Sequence, residues 1–137
     1  MKINDNQFCF ICGSRNPIGL QTKPCIDADE RRAYFHVTVP PEFQGWEGVV
    51  HGGIVSALLD EVAAYAAMTI APHVVTAELK TRYIKPVPVN MSLTVEARVL
   101  NHVKRSIMVE ATLVQEDRLL TRAEAHMMVV KSALTGA

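Results

Sequence analysis

The sequence predicts an α+β fold in which one long helix lies on an antiparallel sheet of about five or six strands. One segment alone has helical character, five segments alternate between apolar and polar residues, and short connections join the last four of these. Short connections favour an antiparallel meander, and a single helix covers one face of such a sheet. With 137 residues and 49% hydrophobic side chains, the chain has the size of one domain with its own core.

The predicted elements follow in the order strand, helix and four strands. Alternation over residues 32–39 predicts the first strand, which Pro40 and Pro41 end. The helix begins at Gly53 and ends at Met68 or Ile70. Apolar residues at alternate positions predict the later strands, within residues 75–79, 91–99, 107–113 and 121–129. In this single domain, residues 1–137, we expect a cysteine-bearing leader at 1–25 and a loose tail at 132–137.

Charge and cysteine content exclude several classes of function. The 14 basic residues balance the 14 acidic ones, so net charge favours neither a nucleic acid nor an acidic membrane surface. The longest nearly apolar run, residues 62–71, is far shorter than the roughly 20 residues of a membrane span. Three cysteines and a start without a secretory signal predict a reduced, cytoplasmic protein.

The predicted helix has no ordinary solvated face. One broad stripe, expected to lie on the sheet, contains Ile54, Val55, Leu58, Leu59, Val62 and Tyr65. The opposite side carries small residues around one Asp60, namely Ser56, Ala63, Ala64 and Ala67. A solvated face would carry Lys, Glu, Arg or Gln, so we expect this side to meet a second subunit or a ligand.

Asp60 is the candidate catalytic carboxylate. Asp60 and Glu61 are the only charged residues of the predicted helix, and no Lys or Arg occurs between Ala33 and Leu79. Desolvation raises the pKa of a carboxyl group that is buried without a basic partner, which suits a general base near neutral pH. An Asp early in a helix can also simply interact with the helix dipole. Among Ala and Ser we favour the catalytic interpretation, with Glu61 as the alternative carboxylate.

The tripeptide His51-Gly52-Gly53 supplies a second part of the predicted site. Glycines at a helix start let a ligand approach the backbone, and free N–H groups there stabilise developing negative charge. His51 and Asp60 are separated by roughly 13 Å along the helix axis, so they cannot act on one atom within one subunit. Two helices packed side by side would bring Asp60 of one chain to His51 of the other. We therefore expect at least a homodimer with a composite interface site.

The central third of the chain resembles a known enzyme family. The run Gly45 to Gly53 (GWEGVVHGG), then six residues, then Asp60-Glu61, and later residues 76–86 (TAELKTRYIKP) resemble the hotdog-fold acyl-CoA thioesterases of the phenylacetate-pathway type. The leader CFICGSRNPIGL is similar to that of one branch of this superfamily. The resemblance implies a hotdog fold, an acyl-CoA or related thioester as substrate, and hydrolysis without a metal or redox cofactor.

The resemblance also implies roles for individual residues. Asp60 takes the position of the carboxylate that acts as nucleophile or general base, and the sequence does not choose between the two roles. His51 and the Gly53 amide take the positions that contact the thioester carbonyl. Thr76 takes the position of a hydroxyl that helps to place the attacking water.

One departure from the family pattern keeps other functions open. Many relatives carry Asn six residues before the histidine, where this chain has Gly45, and Gln44 is its polar neighbour. A domain that binds acyl thioesters without cleaving them is therefore an alternative. A third alternative is a dehydratase or hydratase that acts on 3-hydroxyacyl or enoyl thioesters. It ranks lower because the longer, proline-containing segment that usually precedes the helix in such enzymes is missing.

Basic residues near predicted turns are candidates for binding the phosphates of coenzyme A. Arg82, Lys104 and Arg105 form the group that we favour, with Gly52 contacting the substrate at the helix start. The sequence does not decide three questions: which acyl chain is preferred, whether the carrier is coenzyme A or an acyl-carrier protein, and whether the dimer assembles further into a homotetramer.

The cysteines give a weaker signal. Cys9-x-x-Cys12 and Cys25 supply three possible zinc ligands, whereas a closed structural site needs four. We interpret them as packing residues of the leader and expect no metal, with zinc as the alternative.

Overall fold

The structure, a computed structural model, describes residues 3–131. The predicted loose tail at 132–137 and residues 1–2 of the leader lie outside this range. Within it, no helix is long and apolar enough to cross a membrane. The elements are β1 (Cys25–Asp27), β2 (Arg32–Thr38), a short 3₁₀ helix (Pro41–Phe43), α1 (Gly52–Ala67), β3 (Val74–Tyr83), β4 (Ser92–Val103), β5 (Ser106–Gln115) and β6 (Arg118–Val129).

The six strands form one antiparallel sheet in the order β1-β2-β4-β5-β6-β3. The helix α1 packs on one face of this sheet, against β2 to β6. The predicted α+β class and the hotdog architecture are confirmed. The sequence pattern did not predict β1, because three residues are too few for a recognisable alternation.

The position of β3 corrects the expected meander. Strands β4, β5 and β6 do follow one another, but β3 pairs with β6 at the far edge of the sheet instead of with β4. The connection after β3 has hydrogen-bond partners of its own: the N–H groups of Ile84 and Lys85 donate to the Leu120 carbonyl, and Val87 accepts from Val50. It therefore crosses the end of the sheet and does not form a hairpin.

The core lies between the helix and the inner face of the sheet. Strand β5 shows the alternation most clearly, because its side chains are buried and half-buried in strict turn. Leu58 and Leu59 of the helix are fully buried in this core. Truncating such a leucine to alanine costs about 2–5 kcal/mol of stability, so the helix is held firmly in place.

The small-residue side of the helix is less open than its composition indicates. Ala63 and Ala67 are fully buried within the single chain, contrary to the expected open face. Two coverings explain this: five strands, β2 to β6, contact the helix, and Ile11 and Cys9 of the leader belong to or pack against the same core. Ser56, Ala57, Asp60 and Ala64 stay partly exposed, so a narrower strip remains for a ligand or partner.

Candidate active site

His51 caps the start of the helix with its own side chain. The Gly53 N–H donates to His51 Nδ1 at 2.8 Å. A nitrogen that accepts this bond carries no proton, so in the neutral imidazole the proton sits on Nε2. The exposed ring then offers Nε2–H as a hydrogen-bond donor to a ligand.

This capping bond changes the predicted role of the glycines. A Cβ atom at Gly53 would lie 3.1 Å from His51 Nδ1, so glycine leaves room for the imidazole to fold back over the helix start. The Gly53 N–H is already occupied by that imidazole. Among the contacts of residues 3–131, the Gly52 N–H has no partner, so Gly52 has the free amide that was expected at Gly53.

A cavity of about 770 Å³ opens beside this helix start. It lies between the loop before the helix and the connection that follows β3. Its walls are mostly apolar, and the size falls within the range of small-molecule sites. The lining residues are Gly45, Trp46, Val49, Val50, His51, Gly52, Val55, Tyr83, Ile84, Lys85, Pro86 and Val87.

Asp60 and Thr76 are in direct contact. The Thr76 hydroxyl donates to Asp60 Oδ1 at 2.6 Å, across the gap between α1 and β3. One carboxylate oxygen is thereby held, and Oδ2 remains available to accept a further hydrogen bond. The two residues that the resemblance singled out separately are therefore in contact within one chain.

An irregularity in β3 turns Thr76 toward the helix. Thr76 pairs with Met127 and Glu78 pairs with His126, so Ala77 is an extra residue in the ladder. Cross-strand partners face the same side of a sheet, and Met127 is fully buried. Without this bulge Ala77 would stand opposite Met127, and the hydroxyl would point to the outer face.

A strip of polar contacts continues from Asp60 toward the helix start. The Ser56 hydroxyl lies 2.6 Å from the Tyr83 hydroxyl and donates to Thr81 at 3.3 Å. The Tyr83 hydroxyl also donates to the Gly52 carbonyl at 2.8 Å. The sequence analysis missed Thr81 and Tyr83, because the bulge breaks the alternation that relates them to Thr76. Ser56 had a usable signal: it precedes Asp60 by one helical turn.

The structure leaves His51 and Asp60 apart within one chain. His51 is the N-cap of α1, and Asp60 lies nine residues further along the same helix, which corresponds to roughly 13 Å along the helix axis. A single chain therefore presents an Asp60–Thr76 part and a His51–Gly52 part as two separate half-sites.

The three basic residues selected for coenzyme A are not one cluster. Arg82 lies near the end of β3 and pairs with Arg122. Arg105 lies in the turn before β5, where its guanidinium donates to the Val129 carbonyl at 3.1 and 3.2 Å. Val129 pairs with the first residue of β3, so Arg105 and Arg82 lie about 27 Å apart along the strand. Lys104 shares the turn with Arg105 and is exposed.

Gly45 lies against His51, and Gln44 does not replace the missing amide. A Cβ at Gly45 would meet His51 Cα and Cδ2 at 3.4 Å, an ordinary contact distance. The Gln44 side-chain carbonyl accepts from the Gly48 N–H at 3.0 Å and so holds the loop together. Gln44 is not among the residues that line the cavity, so we do not assign its amide to the helix start.

The leader places two thiols against Glu61, the alternative carboxylate. Cys9 Sγ lies 3.8 and 3.7 Å from the two Glu61 oxygens, and Cys12 Sγ lies 3.3 Å from the Tyr65 hydroxyl. Burial raises the pKa of the Glu61 carboxyl, and burial with hydrogen bonding to Glu61 raises the pKa of Cys12 to about 12. Glu61 thus faces the leader and not Thr76. Of the described residues, Cys9, Cys12 and Glu61 are grouped closely enough to hold a metal ion.

Comparison with known proteins gives a consistent result. A family model described as the thioesterase superfamily matches residues 47–122, the segment that includes both half-sites. A candidate esterase of Saccharolobus solfataricus is 33% identical over 87 residues, covering 62% of this chain and 61% of that protein. An acyl-coenzyme A thioesterase of Xenopus laevis is 24% identical over 102 residues, covering 74% of this chain and 46% of that protein. The chain thus spans less than two thirds of the length of these curated relatives.

Solved structures agree at the level of the fold. The crystal structure of a thioesterase superfamily protein superimposes with a TM-score of 0.80 at 26% identity, covering 88% of this chain and 62% of that one. The PaaI protein from the phenylacetic acid degradation operon of E. coli has a TM-score of 0.76 at 19% identity, with 82% of each chain covered.

Proposed function

The chain belongs to the thioesterase superfamily, and we propose from this that it hydrolyses the thioester of an acyl-CoA or a related acyl carrier to a free acid and a thiol. The observation that carries the proposal is the 2.6 Å hydrogen bond from Thr76 to Asp60 on the partly exposed helix side. It fixes a carboxylate on this side of the helix, with one oxygen still free. The acyl-coenzyme A thioesterase among the relatives supports coenzyme A as the carrier.

The chemistry requires a nucleophile at the acyl carbon. In one route Asp60 Oδ2 accepts a proton from water, the water oxygen attacks the acyl carbon, and the thiolate leaves and takes up the proton. In the other route Oδ2 attacks the carbon directly and the thiolate leaves. Water then cleaves the mixed anhydride, which restores the Asp60 carboxylate, releases the acid and supplies the proton that the thiolate takes up. In both, the Thr76 hydroxyl acts as a positioning group that keeps Oδ2 directed at the substrate.

The carbonyl oxygen needs donors that Asp60 cannot supply. The His51 Nε2–H and the free Gly52 N–H provide two donors beside the cavity, where negative charge develops in the tetrahedral intermediate. Because they lie far from Asp60 of the same chain, we place the reaction between two chains of a homodimer. The free edge of β3, ten residues long, adjoins Asp60 through Thr76 and is the surface that we assign to the partner.

A non-catalytic acyl-thioester-binding domain is the second candidate. The helix start lacks a side-chain amide at Gly45, and the Gly53 N–H is occupied by His51. Fewer donors for the developing oxyanion mean weaker catalysis. The experiment below separates binding from turnover.

The test is thiol release from short, medium, long and aromatic acyl-CoAs by the wild-type protein and two Asp→Asn variants. Asp60→Asn should lower kcat by at least about a hundredfold, because the amide can neither accept the proton nor attack the carbon. Asp117→Asn is the matched control, since Asp117 is exposed in the turn between β5 and β6. Its kcat should equal that of the wild type.

Two results would contradict the proposal. Near-normal turnover by a folded Asp60→Asn variant would remove the assigned carboxylate. Tight binding of acyl-CoA by the wild-type protein without thiol release from any substrate would favour the binding domain.

A further inference from the structure

The leader forms a closed loop that the proposed reaction does not use. The Gly13 N–H donates to the Cys9 carbonyl at 2.8 Å, and the Ile11 N–H donates to Cys9 Sγ at 3.4 Å. A Cβ at Gly13 would lie 2.4 Å from Cys9 N and 2.5 Å from Cys9 O, which is closer than atoms can approach. Glycine after the second cysteine therefore permits the tight turn that brings the two thiols together.

The loop is anchored to the helix beside the carboxylate. Ile11 is buried in the core, and the Thr22 N–H donates to its carbonyl at 2.9 Å. This anchoring holds Cys9 and Cys12 over the helix turn that carries Glu61 and Tyr65. Residues 52 positions apart in sequence thus form one half-buried cluster.

The cluster has ligand atoms and no positive charge. In the part of the chain that the structure describes, no Lys or Arg forms an ion pair with Glu61. The groups near Glu61 are the thiols of Cys9 and Cys12 and, next to Cys12, the hydroxyl of Tyr65. Each of these is a weak hydrogen-bond donor that becomes an anion when it loses its proton. Desolvation by burial is the main reason that the pKa values of Glu61, Cys12 and Tyr65 are raised.

The spacing of the atoms fits a small tetrahedral cation. Zinc binds cysteine sulfur at about 2.3 Å and carboxylate oxygen at about 2.1 Å, so sulfur and oxygen ligands of a tetrahedral site lie about 3.6 Å apart. Cys9 Sγ and Glu61 Oε2 are 3.7 Å apart, and the ligand atoms of all three residues lie within 4.8 Å of one another. The N–H donated to Cys9 Sγ is the kind of outer contact that stabilises a ligating thiolate.

We propose that Cys9, Cys12 and Glu61 form a binding site for one Zn²⁺ ion, which ties the leader to α1 one residue beyond Asp60. Two thiolates favour zinc over magnesium or calcium, and a single carboxylate completes a three-ligand set. The fourth position is taken by water, beside the Tyr65 hydroxyl. This is an open three-ligand site and not a closed four-ligand one. Glu61 contacts Cys9 whereas Asp60 contacts Thr76, so the ion takes no part in the proposed hydrolysis.

The first experiment measures the zinc content of the purified full chain and its variants. We expect about one zinc ion per wild-type chain, and less than about one tenth of an ion in Cys9→Ser and Cys12→Ser. Glu61→Gln should retain the fold and bind zinc more weakly in a chelator competition. Cys25→Ser is the matched control, because Cys25 is exposed on β1 and outside the cluster. It should bind zinc as the wild type does.

A second measurement needs no variant and so does not depend on their folding. Zinc added to the metal-free, reduced wild-type protein should shield two of the three thiols from alkylation, with Cys25 still modified. Cobalt(II) in place of zinc should give a thiolate-to-metal absorption band. Full alkylation of all three thiols with zinc present, or equal zinc content in Cys9→Ser and Cys25→Ser, would overturn the proposal. So would a wild-type protein whose Cys9 and Cys12 are joined in a disulfide and hold no metal after reduction.

Discussion

Gly45 limits the number of hydrogen-bond donors at the helix start. Its backbone does not require glycine, since a Cβ there would make only ordinary contacts with His51 and its φ angle is not in the left-handed region. Gly45→Asn should therefore fold normally and place an amide beside the imidazole. Because one added donor to an oxyanion can stabilise the transition state substantially, we expect kcat to rise by about tenfold.

The control for this change is Gly45→Ala, which adds the Cβ without the amide. Both variants should have the melting temperature of the wild type, and Gly45→Ala should have its kcat. An Asn variant that folds but is no faster than the Ala variant would show that position 45 does not face the reacting carbonyl.

The separation of Arg82 and Arg105 makes their roles distinguishable. A residue that contacts a coenzyme A phosphate acts on binding, so its removal should raise KM more than it lowers kcat. We expect Arg105→Ala to raise KM for an acyl-CoA by about tenfold, and to leave a short pantetheine thioester unaffected. Arg82→Ala, at the far end of β3, tests the other phosphate candidate separately, and we expect it to change KM less than Arg105→Ala does. If Arg105→Ala weakens both substrates equally, this side chain does not contact a phosphate.

At the residue scale the sequence indicated which side chains belong to a site better than which of them are in contact. It singled out Asp60 and Thr76 separately, and the 2.6 Å hydrogen bond between them was not predicted. The Cys9–Glu61 contact was missed, because nothing in a loop of cysteines indicates which helix turn it will cover. The occupied Gly53 N–H was missed for a similar reason: the His51 rotamer decides it, and a rotamer is set by packing.

Among the elements, strand β3 has the greatest influence on the site, and its bulge can be tested. The extra residue Ala77 places Thr76 opposite Met127 and toward the helix. Thr76→Ala should lower kcat by about tenfold, because Asp60 loses its positioning hydroxyl. The double variant Thr76→Ala/Ala77→Thr keeps the composition and moves the hydroxyl by one residue. We expect it to be as slow as Thr76→Ala.

The double variant distinguishes a bulged strand from a regular one. In a regular ladder residue 77 would stand opposite Met127, and a threonine there would face Asp60. Recovery of wild-type turnover by the double variant would therefore show that β3 lacks the bulge in solution.

Local patterns predicted the elements themselves, whereas strand order needed information that they do not contain. The helix and the later four strands follow from the spacing of apolar residues, and each of them is present. The edge position of β3 depends on where residues 84–91 find hydrogen-bond partners, which are Leu120 and the loop before the helix. Those partners are distant in sequence, so short connections alone led to the wrong neighbour for β3.

At the scale of the whole molecule, the proposed reaction requires two chains. It has a carboxylate with a positioning hydroxyl at the middle of the helix, and hydrogen-bond donors with a cavity at its start. A two-fold dimer that brings the helices side by side would pair each half-site with the other half from its partner. The free edge of β3 beside Thr76 provides a surface for this association.

Subunit complementation tests the composite site directly. Asp60→Asn and His51→Ala should each be inactive alone, because a homodimer of either variant lacks the same half-site in both of its active sites. After equal mixing and refolding, half of the dimers contain one chain of each kind, and one of the two sites in such a dimer is intact. Activity should therefore recover to about one quarter of the wild-type value. Subunit exchange is measured with a mass-tagged chain. If the chains exchange and no activity returns, His51 and Asp60 of each active site come from the same chain.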